Sequence, residues 1–385
     1  MIANTRQEPP RVEHYPCIDI LRAVAALLVV VYHVIEVGQW KEFPITGLAL
    51  WPRIGWIGVD LFFVISGFVI TLSAVSGYRF ANEAFVRDFA YRRWMRIAPL
   101  YFCTLLAYIW FITPGILFLE PAKVIAHVFS HVFFIHNLHP STHGSLNGPN
   151  WSVALEMQFY FLIALITPWL SRTSPLKALV LFISISWAYR FATTLVLEPG
   201  ISTPHYQHVF SSQLPGTLDA FGFGIALALL TLNRERYYLA RLLTPSWKNF
   251  VLLSLIGAAA LKGATLLFWV NPDYWGSTGM ITFWRTLLAG AFVVILAAAV
   301  TFPYKRLGLL LPAGYLGQIS YGIYLWHTLV LTSLMTLPWV RGSTLLQWVL
   351  VGTILMSAAS WHFLEKPLMQ RKRAKSTTPP IPATR

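Results

Sequence analysis

The sequence predicts an all-α integral membrane protein, a bundle of about ten transmembrane helices with the N- and C-termini both cytoplasmic. Three observations predict it. The 385 residues are 56% hydrophobic and 15% aromatic but only 11% charged, with a mean hydropathy of +0.59, whereas a soluble domain carries about 25% charged residues. Too few charges remain to coat a globule of this size. The apolar residues also gather in runs of about 20, the length of helix that crosses a bilayer core. Finally, the basic residues are segregated into alternate loops.

Ten such runs lie near 18–37, 54–76, 97–117, 151–170, 176–196, 213–232, 249–270, 281–301, 313–336 and 344–364. The stretch 121–140 is too interrupted by histidines to span and is expected to form an interfacial or re-entrant helix. With the N-terminus inside, the inner segments hold 21 of the 29 Lys and Arg, and the outer loops hold only Lys41, Arg53, Lys123 and Arg341. Cytoplasmic loops of membrane proteins are enriched in this way. The net charge of +14 is therefore mostly topology, and no nucleic-acid partner is expected.

Residues 1–17 read as a polar cytoplasmic N-terminal segment, 18–364 as the membrane domain, and 365–385 as a basic, Thr- and Pro-rich cytoplasmic tail expected to be disordered. The first apolar run lacks a small-residue cleavage site, so it is expected to be an uncleaved span. No internal repeat or additional soluble domain is visible. Cys17 and Cys103 are too few for a disulfide framework and read as reduced, structural thiols.

Ionisable residues inside a span are costly and mark functional candidates. On the first helix Arg22 and His33 are eleven residues apart, which puts them on nearly the same face and about 16 Å apart in depth. Arg22 either pairs with Asp19 and snorkels to the surface or serves the site. His33 is either a satisfied core histidine or a catalytic one. Asp60 opens the second span. Ser152, Glu156 and Tyr160 follow at i, i+4 and i+8 on one face of the fourth, and Tyr321, Tyr324 and His327 lie three apart on the ninth. This topology places His33, Asp60, Glu156 and His327 together in the outer half of the bilayer. A histidine between carboxylates suits a general base, because the carboxylate fixes the tautomer and stabilises the imidazolium.

At the cytoplasmic face, Y-R-R-W-M-R-I-A-P-L-Y carries Arg92, Arg93 and Arg96. Positive-inside placement accounts for them, or they clamp a phosphorylated ligand, since guanidinium groups suit phosphates. No Walker loop or dinucleotide fingerprint is present. The outer loop holds His127, His131, His136, His139 and His143, but no cysteine or carboxylate completes a metal set. Interfacial packing or substrate contact is expected there, and no metal.

Six motifs in order, D-I-L-R-A-V-A-A with its R-x10-H spacing, G-V-D-L-F-F-V-I-S-G-F, R-R-W-M-R-I-A-P-L-Y, N-W-S-V-A-L-E-M-Q-F-Y, I-S-Y-G-I-Y-L-W-H and F-L-E-K-P, run from residue 16 to residue 368. Together they resemble the membrane-bound acyltransferase-3 family, the bacterial enzymes that O-acylate lipopolysaccharide, exopolysaccharide and related glycans. The resemblance implies a ten-helix enzyme of the bacterial inner membrane. Such an enzyme carries an acyl group, commonly acetyl, from cytoplasmic acyl-CoA to a sugar hydroxyl, with acetyl-CoA as donor substrate and no bound cofactor. It implies that Arg22 and His33 are the signature pair, with His33 catalytic, and that Arg92, Arg93 and Arg96 bind the donor or support its site. Some members carry an SGNH hydrolase-like domain. This chain ends some twenty residues after the last span and is expected to be the stand-alone type.

The two readings combine into one mechanism. CoA phosphates rest on the cytoplasmic arginines, the pantetheine passes Arg22, and His33, oriented by Asp60 or Glu156, deprotonates the glycan hydroxyl that attacks the thioester. An acyl-histidine relay is the variant of this step. Ser152, Tyr160, Tyr321, Tyr324 and His327 are expected to bind substrate. The partners expected are a glycan or lipid-linked sugar acceptor, membrane lipid and proteins of polysaccharide biosynthesis. Two rivals stand beside this reading. A proton-coupled transporter or glycan flippase also uses membrane histidines and carboxylates, and a scaffold subunit needs polar groups only for helix association.

Overall fold

A computed structural model describes residues 15–81, 85–197, 204–303 and 311–370. Most of the N-terminal segment, Lys305 and Arg306, and the tail beyond 370 lie outside the described residues. The helices are α1 (Pro16–Glu36), α2 (Leu50–Arg53), α3 (Gly58–Ala81), α4 (Phe85–Phe111), α5 (Pro121–Val132), α6 (Trp151–Leu170), α7 (Pro175–Leu197), α8 (Pro204–Ser211), α9 (Leu214–Leu232), α10 (Trp247–Trp269), α11 (Arg285–Thr301), α12 (Leu311–Gln318), α13 (Ser320–Met335) and α14 (Gly342–Ser360). No strand occurs among the described residues. Within a bilayer only helices or closed barrels satisfy every backbone polar group, so this is a multi-pass helical membrane protein.

Among the described residues nine helices are long and apolar enough to cross a membrane: α1, α3, α4, α6, α7, α9, α10, α11 and α14. The tenth expected span, 313–336, is broken at Ile319 into α12 and α13. The carbonyl of Gln318 at the break accepts a hydrogen bond from Arg96 Nη2 at 3.4 Å. Gly317 brings α12 against the backbone of Asp19 on α1, where any β-carbon would overlap it. Broken helices at membrane depth persist only where protein or a polar cavity meets the freed backbone groups.

α3 is the central element, with 78% of its most apolar window buried; α10 and α14 are peripheral, at 22% each. Packing in lipid relies on close backbone approach at small residues. Gly67 of α3 faces the carbonyl of Phe221, and Gly224 of α9 faces that of Val64, so α3 and α9 touch backbone to backbone. Large side chains that remain exposed, such as Leu195, Leu255 and Leu355, form the lipid-facing surface. The segment 121–140 forms the short α5 and a 3-10 turn at His136–Leu138, with Ile125, Phe129 and Phe133 exposed. It does not span.

Because successive spans reverse direction, the start of α1 and the α3–α4, α6–α7 and α9–α10 connections share one face. That face carries Arg79, Arg92, Arg172, Arg234 and Arg236. α5, α8 and their histidines lie at the opposite face. Two π-helical turns, Met280–Trp284 and Trp361–Glu365, interrupt otherwise regular spans. Such turns often mark functional positions, and here they set Arg285 and Glu365 against buried partners.

Candidate active site

Near the histidine-rich face, α1 and α13 bring His33 and His327 together. His327 Nε2 lies 3.4 Å from His33 Nδ1, and the ring centroids are 4.9 Å apart. His33 Nδ1 is 2.8 Å from the carbonyl of Val29 one turn earlier, and His327 Nδ1 is 2.7 Å from that of Tyr324. A carbonyl only accepts, so each ring carries its proton on Nδ1. His327 Nε2 is then a lone pair facing the His33 Nδ1–H, and His33 Nε2 is left unprotonated, with no hydrogen bond to any described residue. That nitrogen is shaped to take a proton.

A polar ladder supports the pair. The Tyr324 hydroxyl lies 2.6 Å from Ser152 Oγ and donates to the Pro149 carbonyl at 2.9 Å. Asn147, fully buried, donates to the Leu325 carbonyl and accepts from Thr328 Oγ1 at 2.6 Å. The N-G-P-N-W turn of residues 147–151 thus holds the stretch of α13 that carries His327.

Deeper in the bundle, Glu156 Oε1 accepts from Ser66 Oγ at 2.9 Å and from the Tyr160 hydroxyl at 2.5 Å. Toward the arginine-rich face, the Arg93 guanidinium sits 5.8 Å over the Tyr160 ring and 5.4 Å over Phe89. Glu156 and Arg22 are within its electrostatic reach. The Arg93 guanidinium hydrogen-bonds no described residue, and its Nε is buried. Arg96 pairs with Glu365 at 3.4 Å and covers the rings of Tyr321 and Trp361. The Tyr321 hydroxyl donates to the Ile97 carbonyl at 2.9 Å.

The side chains expected from sequence therefore separate. Two corrections concern the carboxylates. The partners of the His33 ring are His327 and the Val29 carbonyl, not Asp60 or Glu156. Asp60, 2% exposed, instead faces Arg285 Nη1 at 3.5 Å, while Glu156 sits deeper, between Ser66 and Tyr160. Arg22 donates to Asp19 at 3.2 Å, the pairing that its i−3 spacing allows. Arg92 turns outward onto Asp88 of its own helix, so the basic motif presents Arg93 and Arg96, and not Arg92, to the interior.

A second buried network adjoins Asp60. Arg190, wholly buried, donates to Asp219 Oδ2 at 2.7 Å, to Thr286 Oγ1 at 2.8 Å and to the Gly216 carbonyl at 3.0 Å. Paired charges at this depth tie α3, α7, α9 and α11 together, because an unpaired one would be prohibitive. Arg190, Asp219 and Arg285 are not among the candidates read from the sequence, and Glu365 enters there only within the F-L-E-K-P motif. A carboxylate inside an apolar run was the available signal for Asp219 and Glu365.

Among the loop histidines, His131 and His136 stack face to face with centroids 4.0 Å apart, and both are fully buried. His127 meets Ser145 Oγ at 3.0 Å, and His139 meets Ser141 Oγ at 2.8 Å. Burial depresses the imidazoles of His131 and His143 to about 4, and that of His136 to about 3, with neighbouring His131 adding to the last.

The chain is thus a multi-pass helical membrane protein with an imidazole pair near one face and an inward-facing guanidinium near the other. Residues 15–364 match the model of the acyltransferase-3 family, described as an acyltransferase domain. The chain belongs to that family. It is 26% identical over 377 residues to the peptidoglycan O-acetyltransferase OatA of Listeria monocytogenes, covering 92% of this chain and 56% of that protein. It is 24% identical over 388 residues to the O-acetyltransferase OatA of Staphylococcus aureus, covering 93% and 58%. It is also 28% identical over 376 residues to the putative peptidoglycan O-acetyltransferase YrhL of Bacillus subtilis, covering 92% and 55%. The chain thus spans little more than half the length of these relatives. No solved structure matches it.

Proposed function

We propose that this protein transfers an acetyl group from acetyl-CoA on the cytoplasmic face of a bacterial inner membrane to a glycan hydroxyl presented at the outer face. The observation that carries the reading is the line of buried and half-buried polar side chains between the two ends of the bundle. It runs from Arg93 and Arg96, past Tyr321, Glu156 and Tyr160, to Tyr324, His327 and His33.

Arg93, whose guanidinium is free of hydrogen bonds to described residues, and Arg96 suit the CoA phosphates as a bidentate fork suits an oxyanion. The pantetheine arm is long enough to carry the thioester across half of a hydrocarbon core of ~30 Å. His33 Nε2 accepts the proton of the sugar hydroxyl as that oxygen attacks the thioester carbonyl. The C–S bond breaks, the CoA thiolate leaves and takes up a proton, and the acetyl ester remains on the sugar. The imidazolium formed on His33 is stabilised through its Nδ1–H by the His327 lone pair and the Val29 carbonyl. This is the role that a carboxylate plays in the serine-protease triad. Ser152 and Tyr324, bonded to each other beside the pair, serve the acceptor side of the site.

The test uses membranes holding matched amounts of wild type or His33→Ala, incubated with radiolabelled acetyl-CoA and host glycans. Label in the glycan fraction with wild type and none with the variant supports the reading. Equal labelling by both sinks the role of His33. Glycan translocation without any dependence on acyl-CoA would favour a transporter.

A further inference from the structure

At the histidine-rich face, away from the His33–His327 pair, a cavity of about 300 Å³ is lined by His139, Pro140, Ser141, His205, Tyr206 and Phe210. Tyr206 and Phe210 are one turn apart on α8, so their rings share one wall. The other wall is the His139–Ser141 turn, internally ordered by the His139 Nδ1 to Ser141 Oγ contact. The walls are tied together: His205 Nε2 lies 3.5 Å from the Pro140 carbonyl, and Gln213, the N-cap residue of α9, donates to the Leu138 carbonyl at 3.1 Å. Tyr206 is 46% exposed, so the cavity opens to the aqueous side.

This cavity is linked to the His33–His327 pair through a relay of ring contacts and helix neighbours. The His205 ring meets His143 edge to face with centroids 6.0 Å apart, and His143 stacks on Trp151 at 5.6 Å. Trp151 precedes Ser152, which touches Tyr324, three residues before His327. Beside the cavity, His143 Nε2 is buried without a hydrogen-bond partner, an arrangement that native proteins rarely leave unsatisfied.

We infer that this cavity is a binding subsite for one pyranose ring of the acceptor glycan. The inference rests on the acyltransferase reading and names the place where its acceptor docks. A pyranose presents an apolar C–H face and a hydroxyl edge. The electron-rich faces of Tyr206 and Phe210 match the first. The Nε2–H that His139 keeps while its Nδ1 accepts from the Ser141 N–H, the Nδ1 acceptor that His205 keeps while its Nε2 faces the Pro140 carbonyl, and the Ser141 hydroxyl match the second. The volume is at the lower end for a small-molecule site, which suits a single ring of a longer chain.

The probe is chitotetraose, titrated against the detergent-solubilised full chain and followed by saturation transfer from protein to the sugar C–H protons. The subsite requires transfer in wild type and in His33→Ala. Phe210→Ala and Tyr206→Ala must each weaken binding by about tenfold or more, whereas Tyr206→Phe, which keeps the ring, must retain it. Melting curves identify any variant that has unfolded, and His205→Ala then serves in its place. No saturation transfer in wild type, or equal transfer in folded Phe210→Ala and Tyr206→Ala, overturns the subsite. If sugar binds through these residues and no acetyl label ever reaches it, the subsite stands and the acyltransferase reading falls. If label reaches the sugar with an unchanged KM in both variants, the reverse holds.

Discussion

His327 Nε2 stands 3.4 Å from His33 Nδ1, and both imidazoles are bound through Nδ1 to a backbone carbonyl of their own helix. The two helices thus present one histidine as a fixed acceptor and the other with its Nε2 lone pair open. In the proposed mechanism the base is prepared by a second histidine rather than by a carboxylate. A neutral partner suits a site within lipid, where a buried carboxylate without its own cation is costly.

Replacing His33 by Ala removes the proton acceptor and is expected to lower acetyl transfer by about 10²- to 10⁴-fold. His327→Ala leaves His33 in place, its tautomer still held by the Val29 carbonyl, but strips the imidazolium of its second acceptor. A fall in kcat of about tenfold or more is expected, with the KM for acetyl-CoA unchanged. Steady-state kinetics on solubilised protein checks both, and an unaltered kcat in His327→Ala contradicts the assigned role.

The two neighbouring arginines should behave differently. Arg93 faces inward over Tyr160, and its loss removes charge-assisted bonds worth about 1.5–3 kcal/mol. Arg93→Ala is therefore expected to raise the KM for acetyl-CoA by about 10- to 100-fold. Arg92 is turned onto Asp88 of its own helix, so Arg92→Ala is expected to leave that KM close to wild type. Equal effects of the two substitutions would remove the distinction.

Asp60 and Arg285 are 3.5 Å apart and almost wholly buried. Breaking a buried pair by neutralising one member costs about 3–5 kcal/mol. Arg285→Leu and Asp60→Asn should each lower the melting temperature in detergent. The double variant should recover part of the loss, because it leaves no uncompensated charge. Strict additivity of the two losses would argue against pairing.

The stacked loop histidines give a pH dependence of defined sign. His131, His136 and His143 titrate at about 4, about 3 and about 4 in the folded protein, chiefly through burial, against 6.5 for the free side chain. Between those values the unfolded loop binds more protons than the folded one, so their contribution to stability is complete above about pH 6.5 and declines as pH falls toward 4. Protease susceptibility of the 121–143 loop should rise from about pH 7.5 to about pH 5, and less so in His131→Phe. A flat profile in wild type would contradict this.

Much of this was legible in the sequence. Apolar run length gives nine of the spans, and intramembrane charge directs attention to His33, His327 and Glu156. Which pairs meet was not legible, because helical spacing fixes a side chain's face and depth but not the neighbour across the interface. Asp60 is expected beside His33 on depth alone; the structure gives it Arg285. The break at Ile319 was hidden because its sequence, G-Q-I-S-Y-G, is apolar enough to pass as continuous helix. Its cause lies elsewhere in the chain, in Arg96 and the close contact at Asp19. Glu365 was read only as part of a motif, since its partner Arg96 is 269 residues away.

The central claim is that the acetyl group enters at the arginine-rich face and leaves at the histidine-rich face. Sealed proteoliposomes with radiolabelled acetyl-CoA trapped inside and glycan only outside test it most directly. Labelled glycan in the external medium with wild type, and none with His33→Ala, is the result expected. Labelling that requires donor and acceptor in the same compartment would contradict it.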